Sequence, residues 1–162
     1  MSGPSPAAER PAPAGLGSQL ARWIATVGGL GYAPFPPGTV TSLPVALAVW
    51  WFRPGDLALL GATAVVSVIG IWAAGREEAR VGSKDPRAIV IDEVAGMLIA
   101  CYGHPRTLPW VLGLFLAFRV FDVVKPLGIA KLQDLPGGFG VVADDLLAGV
   151  YVSLLGQLRH LV

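Results

Sequence analysis

TLPWVLGLFLAFRVFDVV, residues 107–124, is a run of eighteen residues whose only charges are Arg119 and Asp122. It predicts a long apolar helix that Pro126 ends or kinks. A charge inside an apolar segment is costly and seldom idle. The same pattern extends outward over residues 88–149, which are mostly apolar yet carry Asp92-Glu93, then Arg119, Asp122 and Lys125, then Asp144-Asp145. Within those three clusters five acids stand against two bases, an excess that a divalent cation would neutralise.

The flanking sequence reads as further helices separated by breakers. Residues 22–27 fit a short helix, and residues 28–38 (GGLGYAPFPPG) form a loop too rich in Gly and Pro for helix or sheet. Residues 39–52 fit a helix with a Thr or Ser cap and Pro44 near its first turn. Residues 57–75 are nineteen uncharged residues, long enough to cross a bilayer. The charged stretch REEARVGSKDPR (76–87) precedes an apolar helix over 88–102. A turn at 103–106, the helix over 107–124, a second Gly/Pro-rich loop over 125–140 and a last helix over 141–158 complete the chain. The expected fold is all-α, a compact multihelical bundle with about four to five apolar helices, embedded in a membrane. A compact soluble helical domain is the plainer alternative, since several segments fall short of the roughly 20 residues of a straight span.

The 162 residues suit a single domain over 22–162. Residues 1–21, rich in Pro, Ala and Gly, read as a disordered tail without the apolar core of a secretory signal. Only 14% of residues are charged and the mean hydropathy is +0.63, against about 25% charged in soluble domains. A net charge of +1 with no basic, aromatic-interleaved patch argues against nucleic acid as a partner. Cys101 is the only cysteine, so internal disulfides and cysteine metal sites are excluded; it reads as a packed core residue. If each long apolar segment crosses and the N-terminus is cytoplasmic, nine Lys or Arg fall on the cytoplasmic side and three on the other. The loop at 28–38 and all the charge clusters then share the cytoplasmic face.

Each cluster has a structural reading beside a chemical one. Asp92 and Glu93 diverge by about 100° on a helix; they either pair with Arg119 or Lys125, or bind a metal. Arg119, Asp122 and Lys125 are spaced three apart, as a salt-bridge ladder or as two phosphate-gripping bases around a carboxylate. Asp144-Asp145 follow GGFG near a helix start, where one acid would suit the helix dipole and two better suit Mg²⁺, a hard ion that takes oxygen ligands. Gly38, Thr39 and Ser42 open a helix after a glycine-rich loop, as an anion site or as ordinary capping. No Walker A loop, HExxH or Rossmann fingerprint occurs. Carboxylates with bases and a hard cation favour phosphoryl chemistry.

Four collinear motifs, GLGYAPFPPGTVTSLP (29–44), KDPRAIVIDEVAGM (84–97), FRVFDVVKPLGI (118–129) and GGFGVVADDLLAGVY (137–151), resemble the phosphatidylglycerophosphatase A family. The resemblance implies a multihelical, Mg²⁺-dependent lipid phosphatase of the bacterial inner membrane, converting phosphatidylglycerophosphate to phosphatidylglycerol and inorganic phosphate. It places acidic motif residues at Asp85, Asp92, Glu93, Asp122, Asp144 and Asp145, basic ones at Arg119 and Lys125, and loop residues at Gly38, Thr39 and Ser42. Thr41 and Ala95 depart from its usual pattern without removing a charge. Asp92, Glu93, Asp144 and Asp145 are the expected metal ligands. Asp122 is a ligand, a base for water or a nucleophile, with direct water attack favoured. Asp144→Asn is expected to abolish turnover. A non-enzymatic membrane carrier or binding module for a phosphorylated solute is the rival reading, as is a soluble phosphatase with the same motifs.

Overall fold

The computed structural model describes residues 15–126 and 128–158. Among these are seven α-helices and no strand: α1 (Leu16–Ala25), α2 (Pro37–Phe52), α3 (Asp56–Val81), α4 (Ile91–Ala100), α5 (Leu108–Val124), α6 (Ile129–Leu132) and α7 (Gly138–Gln157), with a 3-10 turn at Leu30–Tyr32. The all-α class expected from sequence is what the chain adopts.

Local chemistry sets the helix ends. Both α2 and α5 have a proline in their first turn, where its missing N–H is no loss. Each ends on a basic residue in the left-handed conformation: Arg53 (φ 47°) after α2 and Lys125 (φ 48°) after α5. The Lys125 N–H donates to the Phe121 carbonyl (2.8 Å), and Pro126 then bars continuation. Asp56 opens α3, where its charge suits the helix dipole.

Several expected boundaries shift. Helix α1 begins at Leu16, inside the stretch read as tail; residues 1–14 lie outside the described residues. Helix α2 begins at Pro37 without a side-chain cap, so Pro44 sits in its interior and not near its first turn. Helix α3 runs on through the charged stretch to Val81, because the charges are absorbed: Glu77 is buried and bound by Arg80, whose Nε donates to Oε2 at 2.8 Å. Helix α4 is only ten residues, about 15 Å, and α6 lies within the second expected loop. Two helices, α3 and α7, are long and apolar enough to cross a membrane. The remaining expected spans, α2, α4 and α5, fall short of the usual length.

The main core gathers α2, α4, α5 and α7 around Val49, Met97, Phe115, Phe118, Ala148 and Val152. A second cluster, Ala25, Ala73, Ala74, Ile89 and Val141, seats α1 against α3. At the centre α4 and α7 touch backbone to backbone. A Cβ on Gly149 would collide with the Gly96 carbonyl oxygen, and one on Gly96 would lie 2.7 Å from the Asp145 carbonyl oxygen. Asp92 and Asp145 each precede one of these glycines by four residues, about one turn. The closest approach of the two helices therefore adjoins both acids.

Candidate active site

A cavity of about 310 Å³ opens where α2, α4, α5 and α7 meet the loop before α4. Its acids are Asp85, Asp92, Glu93, Asp122 and Asp145, and its bases are Arg87, Arg119 and Lys125. Three separate stretches of sequence thus converge on one chamber, with Gly38 in its wall.

Helix α4 delivers Asp92 and Glu93 together. One carboxylate oxygen from each, and one from Asp145, lie within 4.8 Å of one another. Asp92 Oδ1, Glu93 Oε2 and Asp145 Oδ2 are buried with no hydrogen-bond partner. Such groups are costly unless a ligand satisfies them. Burial, reinforced by the Glu93 and Asp145 carboxylates, pushes the Asp92 carboxyl well above its usual range. Burial also pushes Glu93 up to about 7; the Asp92 hydrogen bond and Arg119 oppose the shift, and Asp122 adds to it.

Helix α5 supplies the bases. Arg119 Nη1 lies 2.7 Å from Asp122 Oδ2, and Lys125 Nζ lies 3.9 Å from Asp122 Oδ1. The ladder reading of this triplet is therefore realised, and it aims both bases at the chamber. The Arg119 pair is a charge contact without hydrogen-bond alignment, since Nη1 and Nε both lack a partner. Lys125 also forms an ion pair with Asp144 across to α7.

Asp144 and Asp145 separate. They sit in the second turn of α7, so the helix dipole does not account for them. Asp145 enters the three-carboxylate group. Asp144, equally buried, turns its Oδ2 to Lys125 and stands outside that group and outside the cavity lining. The structure thus brings together Asp92, Glu93 and Asp145 of the four expected ligands and places Asp144 behind them as the counter-ion of Lys125.

The α2 start divides in the same way. Gly38 lines the cavity, whereas Thr39 and Ser42 do not. The Ser42 hydroxyl donates to the Gly38 carbonyl at 2.6 Å, which occupies it within the helix. The Gly38 and Thr39 N–H groups have no acceptor inside the helix. Asp85, an expected acidic motif residue, lines the cavity, and so does Arg87, which was not expected there. The Asp85 N–H donates to Glu78 Oε1 at 2.7 Å, so buried Glu78 shapes the loop that presents them; the KDPR tetrapeptide was the available signal. Cys101 and His104 line no part of the chamber. Burial pushes the Cys101 thiol up to about 12, out of range for a nucleophile.

A family profile described as Phosphatidylglycerophosphatase A matches residues 23–160. The chain belongs to the phosphatidylglycerophosphatase A family. As a family member it is a phosphatase, a hydrolase of phospholipid metabolism. The chain is similar to a Bacteroides thetaiotaomicron protein provisionally named phosphatidylinositol-3-phosphatase, 42% identical over 82% of this chain and 88% of that protein. It is also similar to the phosphatidylglycerophosphatase A of Escherichia coli, 34% identical over 75% of this chain and 73% of that protein. The Haemophilus influenzae phosphatidylglycerophosphatase A is 34% identical over 57% of this chain and 58% of that protein. No solved structure matches the chain.

The donor set fits a hard divalent cation. It consists of carboxylate oxygens only, closely grouped, each with a buried oxygen lacking a partner. A proton can also satisfy the group, and the sign of the pH dependence follows. Glu93 titrates near 7 in the fold against an ordinary value of 4.5, so the native state holds a proton that the unfolded chain releases between those values. The contribution of Glu93 to the stability of chelated protein should be fully present below about pH 4.5, fall as pH rises through about 7, and level off above. Melting temperatures in EDTA at pH 5 and pH 8 check this; a higher value at pH 8 contradicts it.

Proposed function

We propose that this protein hydrolyses phosphatidylglycerophosphate to phosphatidylglycerol and inorganic phosphate, with Mg²⁺ held by Asp92, Glu93 and Asp145. The observation that carries the reading is the group of three buried, incompletely satisfied carboxylates beside Arg119 and Lys125, in a chain of this family. Bound Mg²⁺ would supply charge neutralisation at the phosphate and a lower pKa for a water.

The chain's own groups do the rest. Arg119 and Lys125 bind the non-bridging phosphoryl oxygens and stabilise charge as the P–O bond to glycerol breaks. The first turn of α2 offers its Gly38 N–H to the same oxygens. Asp122 fixes both bases, and is our candidate to accept the proton of the attacking water, whose oxygen becomes the fourth oxygen of the released phosphate. The glycerol oxygen leaves and is protonated. The carrier reading loses its ground with family membership.

The enzyme's place is a membrane surface, and we assign the bacterial inner membrane with the site at its cytoplasmic face. The support is a set of exposed apolar side chains on the long helices: Leu57, Val65 and Val68 on α3, Leu116 and Val123 on α5, and Leu154 on α7. Helices α3 and α7 have spanning length, and the Lys/Arg distribution over the loops agrees. A second substrate, phosphatidylinositol 3-phosphate, is favoured by one observation, the name of the relative at 42% identity.

Phosphate release by purified protein in mixed micelles tests both substrates, each with Mg²⁺ and with excess EDTA. Release from phosphatidylglycerophosphate that EDTA abolishes is the expected result. Release confined to the inositol lipid would transfer the assignment to it. No release from either lipid would overturn the lipid phosphatase reading.

A further inference from the structure

We infer that Arg87 selects the substrate by gripping the phosphodiester that joins the headgroup to diacylglycerol, while the carboxylate chamber acts on the terminal phosphomonoester. The inference rests on the proposed function and adds a specificity determinant to it.

Three bases line the cavity, and two are committed. Arg119 faces Asp122, and Lys125 is shared between Asp122 and Asp144. Arg87 alone among them has no ion pair or hydrogen bond among the described residues, and it is exposed while lining the same cavity. A guanidinium at the mouth of an anion site, without a protein carboxylate to neutralise it, is free for a ligand anion.

The chain on both sides of Arg87 is fixed. Before it, the Asp85 N–H is bound by Glu78 and the Asp85 backbone is left-handed (φ 46°), followed by Pro86. After it, the Ile89 N–H donates to the Pro86 carbonyl and the Val90 N–H to the Ala25 carbonyl, both at 2.8 Å. Ile89 and Val90 are buried, and Gly31 packs directly on the Ala88 carbonyl. An exposed arginine thus projects from a pinned loop, so little order remains to be imposed on its backbone when a ligand arrives.

The substrate's chemistry supplies the match. In phosphatidylglycerophosphate the monoester lies at the far end of the headgroup and the diester nearer the acyl chains. With the monoester among Asp92, Arg119 and Asp145, the diester lies outside the chamber, toward its mouth. A planar guanidinium can hold two diester oxygens at once. Phosphatidylinositol 3-phosphate shares this monoester-plus-diester pattern, and phosphatidic acid, with a monoester alone, lacks it.

The experiment compares kcat/KM for phosphatidylglycerophosphate, phosphatidylinositol 3-phosphate and phosphatidic acid in wild-type, Arg87→Ala and Arg87→Lys proteins. One charge-assisted hydrogen-bonded contact corresponds to about a 10- to 100-fold effect. In Arg87→Ala the ratio of phosphatidylglycerophosphate to phosphatidic acid turnover should fall by that factor, chiefly through KM. The inositol lipid, where it is turned over, should follow the glycerophosphate lipid. Arg87→Lys should recover only part of the ratio, because a point charge cannot replace the fork. A ratio unchanged in Arg87→Ala overturns the inference while leaving the lipid phosphatase intact. A wild-type enzyme inactive on both diester lipids overturns the proposed function and the inference with it.

Discussion

Asp145→Asn should lower phosphate release by more than about 100-fold and abolish the rise in melting temperature that Mg²⁺ is expected to produce in the wild-type protein. Groups that merely support metal ligands cost 10- to 100-fold when removed, and a ligand should cost more. Asp145 is buried, one of its oxygens has no partner, and it lies within reach of Asp92 and Glu93. Unfolding should not obscure the result: an amide is isosteric, and removing one of three crowded acids relieves repulsion in metal-free protein. The neighbouring change separates the two roles. Asp144→Asn removes the counter-ion of Lys125, so it should also lose activity, but it should keep the Mg²⁺-dependent rise, since ligand binding to the native state alone raises stability. If Asp144→Asn loses that rise and Asp145→Asn keeps it, the ligand assignment is reversed.

Gly38→Ala should cost about 100-fold in turnover with little change in melting temperature. The added methyl would collide with Glu93 Oε1 and lie 2.5 and 2.9 Å from the two terminal nitrogens of Arg119. These are the ends of flexible side chains, which can move aside without disturbing the fold. Gly38 is the second residue of α2, where alanine is by up to about 1 kcal/mol the better helix former. Stability therefore has no reason to fall. The chemistry does, because a displacement near 1 Å at a reacting centre can cost about 100-fold. Turnover within a few-fold of wild type would show that the Glu93 carboxylate and the Arg119 guanidinium need not stay where the structure places them.

The parts of this fold written in apolar runs and breakers were legible. Helix α5 was expected over 107–124 and lies at Leu108–Val124. Helix ends governed by tertiary contacts were not. Nothing in the charged stretch after Gly75 marks it as helix, and only the pairing of Glu77 with Arg80 and of Glu78 with the Asp85 backbone shows why α3 continues into it as far as Val81. The site was legible as a set of clusters, and their convergence followed from alternating the helices. Its assignment was not legible where neighbours in sequence take different directions. Adjacent residues diverge by about 100°, yet Asp92 and Glu93 both reach the chamber while Asp144 and Asp145 part company. Helix phase against Lys125 decides the difference, and periodicity alone does not carry it. Arg87 escaped because an arginine in a charged run resembles any solvated base until the fold shows which cavity it lines.

The contact of Gly96 with Gly149 reaches beyond packing. Ion discrimination by carboxylates depends on whether the ring of oxygens can widen, since Ca²⁺ takes six to eight ligands at longer distances than the compact octahedron of Mg²⁺. Here two of the acids hang one turn from a place where their helices already touch through bare backbone. The pair can come no closer, and drawing it apart would open the core between α4 and α7. The closest approach of Asp92 and Asp145 is thus set by two missing methyl groups, and for the proposed Mg²⁺ site a larger ion should be the poorer fit.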